Sequence, residues 1–133
     1  MKLLFFEAIL VGLMSVVVFV FVNYLPFNMI AKLFLIGFIK HFFGYLSGIQ
    51  SFYCNLYLSD NENNKYEVKS SSIIIESLLE GFMYVSIGFL LFKMIKNNYL
   101  VIFSLGFCIH IIADIFGIHD LFLKNNCHIQ NKK

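Results

Sequence analysis

Residues 7–54 read EAILVGLMSVVVFVFVNYLPFNMIAKLFLIGFIKHFFGYLSGIQSFYC, and residues 76–123 read ESLLEGFMYVSIGFLLFKMIKNNYLVIFSLGFCIHIIADIFGIHDLFL. Laid on each other at a shift of 69 without a gap, they share twelve residues in 48 positions. So apolar a composition would give roughly four by chance. The matches are Glu7/Glu76, Leu10/Leu79, Gly12/Gly81, Met14/Met83, Val16/Val85, Asn28/Asn97, Phe34/Phe103, Gly37/Gly106, Phe38/Phe107, His41/His110, Gly48/Gly117 and Ile49/Ile118. Shared leucine and phenylalanine carry little weight between apolar segments. A shared glutamate, a shared histidine and three glycine pairs in one register carry more. The expected fold is all-α, a four-helix transmembrane bundle built from two tandem helical hairpins.

Working outward, the apolar runs are Leu3–Val22, Ile30–Tyr53, Ile73–Phe92 and Tyr99–Leu123. Each is long enough to cross a hydrocarbon core about 30 Å thick at about 1.5 Å per helical residue. The first is too long for a signal-peptide core, carries Glu7, and lacks a small-x-small cleavage site before Pro26, so it reads as a retained helix. Asn23–Met29 and Lys93–Asn98 are tight turns. Between the hairpins, residues 55–72 (NLYLSDNENNKYEVKSSS) form a polar loop, its three serines an expected helix N-cap region. The chain is thus one transmembrane domain, 1–133: repeat one 3–54, polar loop 55–72, repeat two 73–123, polar tail 124–133.

Composition agrees. Hydrophobic residues make up 59% and charged residues 14%, with mean hydropathy +0.79, against about 45–50% and about 25% in soluble domains. Seventeen Phe and seven Tyr exceed what a water-soluble core of this size can hide, so a lipid bilayer is the first expected partner. A homo-oligomer or other membrane proteins come next. A net charge of +2 with scattered lysines excludes nucleic acid as a partner. With no Trp, Tyr24, Tyr53, Tyr57 and Tyr99 must furnish the interfacial belt. Cys54, Cys108 and Cys127 make no spaced pair, and an odd count argues against a disulfide framework.

Within the second and fourth runs, Phe34, Gly37, Phe38, His41, Gly48 and Ile49 and their counterparts share one helix face, the expected bundle interior. Gly44 and Gly48 form a GxxxG. Two spans per repeat insert both copies in the same orientation, related about the membrane normal. The side with both termini and the long loop holds Lys2, Lys65, Lys69, Lys124, Lys132 and Lys133, and the other Lys32, Lys93 and Lys96. Lysine counting therefore predicts cytoplasmic termini.

Charged groups inside a membrane face a partner or a cavity. Here they are Glu7, Lys40, His41, Glu76, Glu80, His110 and Asp114, with His119 and Asp120 near the end of the fourth run. Glu76 and Glu80, and His110 and Asp114, are one helical turn apart. Glu80, His110 and Asp114 are expected to meet in the interior, with Glu7, Glu76 and His41 nearby. Three readings compete. The groups pair with one another and fix helix packing. They bind a metal through Glu7, Glu76, Glu80, His110, Asp114 and His119, or a haem between His41 and His110, which share a depth. Or they relay protons or ions. Cys54, His119, Cys127 and His128 are a zinc set that matches no finger spacing. No phosphate loop, GxSxG, potassium filter or HExxH occurs, so catalysis is not expected. A small multidrug transporter shares four spans and a first-helix Glu, but the duplication favours a single-chain bundle.

Glu7-xxxx-Gly12, then HFFGYLSGIQSFYC (41–54), ESLLEG (76–81) and HIIADIFGIHDLFLKNNC (110–127) together resemble a family of four-span membrane proteins of large DNA viruses. The resemblance covers nearly the whole chain. It implies a virion or host internal membrane, fits the AT-rich bias of the composition, and brings no activity with it. It would give weight to Asp114, whose first-repeat counterpart is Tyr45, so the halves are not chemically equivalent. The expected role is a structural or assembly component.

Overall fold

Asn28 and Asn97 each accept a hydrogen bond at the side-chain oxygen from a backbone N–H three residues on, Ala31 at 2.9 Å and Leu100 at 3.1 Å. An N-cap of this kind satisfies a donor that a helix start leaves open, and each begins the second helix of a hairpin. The computed structural model describes residues 2–58 and 65–129. It contains α1 (Lys2–Asn23), α2 (Met29–Leu46), α3 (Ile49–Leu58), β1 (Tyr66–Val68), a 3₁₀ turn (Ser70–Ser72), α4 (Ile73–Met94), α5 (Asn98–Ile115), α6 (Ile118–Asn126) and β2 (Cys127–Ile129). Asp60, Glu62, Lys132 and Lys133 of the loop and tail lie outside the described residues.

The chain is mostly helical, and four helices are long and apolar enough to cross a membrane: Leu3–Asn23, Met29–Leu46, Ser70–Met94 and Asn98–Ile115. Their outer faces are apolar too, with Phe21, Ile74, Phe82 and Leu90 all more than half exposed. The broad interfaces are α2 on α4 and α1 on α5, so the first helix of each hairpin packs mainly on the second helix of the other. Phe19, Val22, Leu33, Ile36, Tyr84, Ile102, Leu105 and Ile109 form the buried core.

Four glycines make the close packing possible. A Cβ on Gly37 would lie 2.7 Å from the Glu80 carbonyl oxygen, and one on Gly106 would lie 3.0 Å from that of Val11. Gly12 and Gly81 face the rings of Phe103 and Phe34, where a Cβ would come within 2.9 Å and 2.8 Å. The GxxxG expectation fails: a Cβ on Gly44 would meet nothing closer than 3.9 Å, and one on Gly48 nothing within 4 Å.

Gly48 has a different job. With φ of +76° it breaks the second apolar run, and Gly117 at +68° breaks the fourth. Left-handed backbone costs a side-chain-bearing residue about 1–2 kcal/mol, which glycine escapes. The expected single helices Ile30–Tyr53 and Tyr99–Leu123 are therefore each two helices, and the interior stripe ends at His41 and His110. The short α3 and α6 fold over one end of the bundle as a cap.

The cap corrects three further expectations. Ser72 makes no side-chain cap bond; the serines form the 3₁₀ turn instead. The tail is structured through Ile129, because β2 pairs antiparallel with β1 in the register Tyr66↔Ile129, Glu67↔His128, Val68↔Cys127. Cys54 and Cys127 are joined in a disulfide, leaving Cys108 as the free cysteine. Cysteine count and spacing could not reveal this pair, since 73 residues separate its members and Cys127 lies in β2, a three-residue strand that the apolar pattern does not announce. Bonded to each other, they offer no thiolates to the zinc set of Cys54, His119, Cys127 and His128.

Candidate functional site: two carboxylate–histidine pairs under a cap

The close approach of Gly37 to the backbone of Glu80 fixes what happens one turn further along both helices. His41 on α2 arrives between Glu76 and Glu80 of α4, its Nδ1 2.6 Å from Glu80 Oε2 and its Nε2 3.4 Å from Glu76 Oε2. Lys40 forms an ion pair with Glu80 Oε1, and both side chains are nearly buried. The Lys40 ammonium also stands 5.3 Å over the Tyr84 ring, and Tyr84 and Ser15 share a hydroxyl–hydroxyl bond of 2.6 Å. Ser15 in turn donates to the Val11 carbonyl at 2.9 Å. With His41 protonated on both nitrogens, the two carboxylates, the ammonium and the imidazolium sum to zero charge.

The same construction recurs at α1 and α5. Gly106 meets the backbone of Val11, and one turn on His110 Nε2 lies 3.4 Å from Glu7 Oε2. Glu7/Glu76 and His41/His110 are each 69 residues apart. Each pair is closed from the cap by residues at that same spacing. Tyr57 of α3 donates to Glu7 Oε1 at 2.8 Å, and Asn126 of α6 donates to Glu76 Oε1 at 2.6 Å. Gln50 of α3 places its amide nitrogen 3.3 Å from His41 Nε2, and the ring of His119 in α6 lies 4.5 Å from that of His110. Burial and the Glu7 carboxylate, which would repel a phenolate, push the Tyr57 hydroxyl up to about 12. Burial pushes Tyr53 up as well, with the charges of Glu7 and Asp114 adding to it.

The halves differ around this shared frame. Lys40, Glu80 and Tyr84 of one site correspond to Ile109, Val11 and Ser15 of the other, so only one site contains a buried ion pair. Asp114 is nearly half exposed and faces His119, at 3.3 Å.

The site residues expected from the sequence are therefore gathered, but in two groups. Glu76, Glu80 and His41 belong to the α2–α4 interface. Glu7, His110, His119 and Asp114 belong to α1, α5 and α6. His41 and His110 stand at different interfaces, each already engaged by its own carboxylate. Among the described residues, no three or more His, Cys, Asp and Glu are arranged to hold a metal ion. Sequence reasoning missed Gln50, Tyr57, Asn126 and the Ser15–Tyr84 bond. The repeat register held the signal for all of these, since it sets Ser15 on Tyr84, Gln50 on His119 and, three residues past the compared stretch, Tyr57 on Asn126.

Chemically, the polar thread runs from the cap through His41, Glu80, Lys40 and Tyr84 to Ser15. Toward the turns the next buried side chains are Phe19, Val22, Leu33, Ile36 and Ile102, all apolar. Polar contact among the described residues thus reaches inward from one end only. No protein-family model, curated protein or solved structure matches this chain.

Proposed function

We propose that this chain is a multi-pass integral membrane protein, two copies of one hairpin inserted side by side, serving as a structural or assembly component of a viral or other internal membrane. The observation that carries the role is the pairing of its intramembrane polar groups. Glu7, Lys40, His41, Glu76, Glu80 and His110 each find their partner in another side chain of the same chain, and the thread they form ends against an apolar layer. Such groups lock helices in register, which is what buried polar contacts in membranes commonly do. The duplication is supported by the recurrence of the Glu–His contact, its glycine and its cap residue at a constant spacing of 69. The viral setting is supported by the motif resemblance and the composition bias.

Purified in mild detergent, the protein should carry no stoichiometric iron or zinc and show no Soret absorption. Reconstituted with a pH-sensitive dye inside liposomes, it should pass protons no faster than empty vesicles. Stoichiometric metal, a Soret band, or a proton flux abolished by His41→Gln would replace the structural reading with a redox or transport one.

A further inference from the structure

Among the described residues, every carboxylate lies at, or in the half-bundle beside, the cap. The two turns and their flanking helix ends, residues 20–35 and 90–103, hold Lys32, Lys93 and Lys96 and none of the eight Asp and Glu. The remaining seven lysines therefore share their half of the sequence with all eight acids, so the net charge of +2 divides into +3 on the turn side and −1 on the cap side. The same cap contains the Cys54–Cys127 disulfide, with Cys54 fully buried beneath it.

We propose that the protein is oriented with its cap in the oxidising, exoplasmic compartment and its two lysine-bearing turns in the cytoplasm, opposite to the orientation that counting lysines predicts. Disulfides persist in oxidising compartments and are rare where glutathione and thioredoxin keep thiols reduced. Closing this one converts two thiols to one disulfide, releasing two protons and two electrons. The electrons pass by thiol–disulfide exchange to a protein or glutathione disulfide, which leaves as the dithiol or two thiols. That oxidant works on the exoplasmic side. The lysine count points the other way, but the cap half of the sequence also holds all eight carboxylates beside its lysines. The three turn lysines are uncompensated and suit the anionic cytoplasmic leaflet, which is worth about 1 kcal/mol per lysine near its surface. Both Glu–His pairs then lie in the exoplasmic half of the bilayer.

The inference rests on the membrane reading, and the experiment separates the two. The full chain with an epitope after residue 133 is translated into sealed, lumen-oxidising microsomes and washed in alkaline carbonate. Retention in the pellet tests membrane integration alone. On the integrated chain, external protease should spare the epitope until detergent opens the vesicles. In a Cys108→Ala background, after acid trapping of thiols, a maleimide–polyethylene glycol should shift the band only once the protein is reduced, and then by two additions. The native sequence carrying the epitope supplies the protease result should that variant misfold. Loss of the epitope in sealed vesicles, or two additions before reduction, overturns the orientation.

Discussion

Among the described residues, Lys40 and Glu80 form a buried lysine–carboxylate pair in a frame that the chain also builds without it. At the corresponding positions of the other half stand Ile109 and Val11, and there His110 keeps Glu7 as His41 keeps Glu76. Replacing a buried pair by apolar residues is commonly neutral or stabilising by about 1–4 kcal/mol, whereas removing one partner costs about 3–5 kcal/mol. Lys40→Ile with Glu80→Val should therefore keep or raise thermal stability in detergent, and Glu80→Val alone should lower it sharply; equal losses would show that the pair itself holds the helices. Glycines differ as clearly. Gly37→Ala drives a Cβ into the Glu80 backbone and should cost about 1–3 kcal/mol by overpacking, while Gly44→Ala, whose Cβ would meet the Gln50 side chain only at 3.9 Å, should be neutral or slightly stabilising through helix propensity. Denaturation midpoints of the two variants, compared in one detergent, decide it. That Glu7, His41, Glu76 and His110 mattered was legible in the sequence from their repeat register. Which glutamate takes which histidine was not, because periodicity gives a residue its face and depth but no neighbour. Asp114 was misplaced for a related reason: the helix ends at Ile115, one residue beyond it, and its side chain turns outward to His119.

Helix existence was written plainly in the apolar runs, and helix length was not. Ile49, Phe52 and Tyr53 continue the apolar pattern past Gly48, and Ile118, Leu121 and Phe122 continue it past Gly117. Hydrophobicity therefore sees no interruption where the backbone turns left-handed. Only the positive φ, which neither composition nor period encodes, ends α2 and α5 and frees α3 and α6 to lie across the bundle. At Gly117 the added Cβ would meet nothing within 4 Å, so the cost of substitution is purely conformational. Gly117→Ala should destabilise by about 1–2 kcal/mol, and Gly117→Asn by less, because Asn tolerates this region better. Circular dichroism melts of the pair check the order; an alanine variant as stable as the asparagine one would mean the break is absent in the bilayer. The strands β1 and β2 were equally invisible, each three residues long and held by partners distant in sequence. Asn55 anchors β1 by bonding both the N–H and the carbonyl of Tyr66, at 2.8 Å and 3.0 Å.

Across the whole molecule the hairpins are interleaved, with α1 on α5 and α4 on α2. Two separately expressed halves, residues 1–64 and 65–133, should therefore each be poorly folded alone and recover the helical packing when produced together. Co-purification of a tag on one half with the other half would report it; two halves that are independently stable would show that hairpin contacts suffice. Interleaving also has a consequence in time. Glu7 and His110 stand 103 residues apart in the chain, which a ribosome working at about 5–20 residues per second spans in about 5–20 s. Throughout that interval Glu7 is without His110, while Tyr57, its partner in the cap, follows about halfway through. The native neighbours of Glu7 are complete only when α5 arrives.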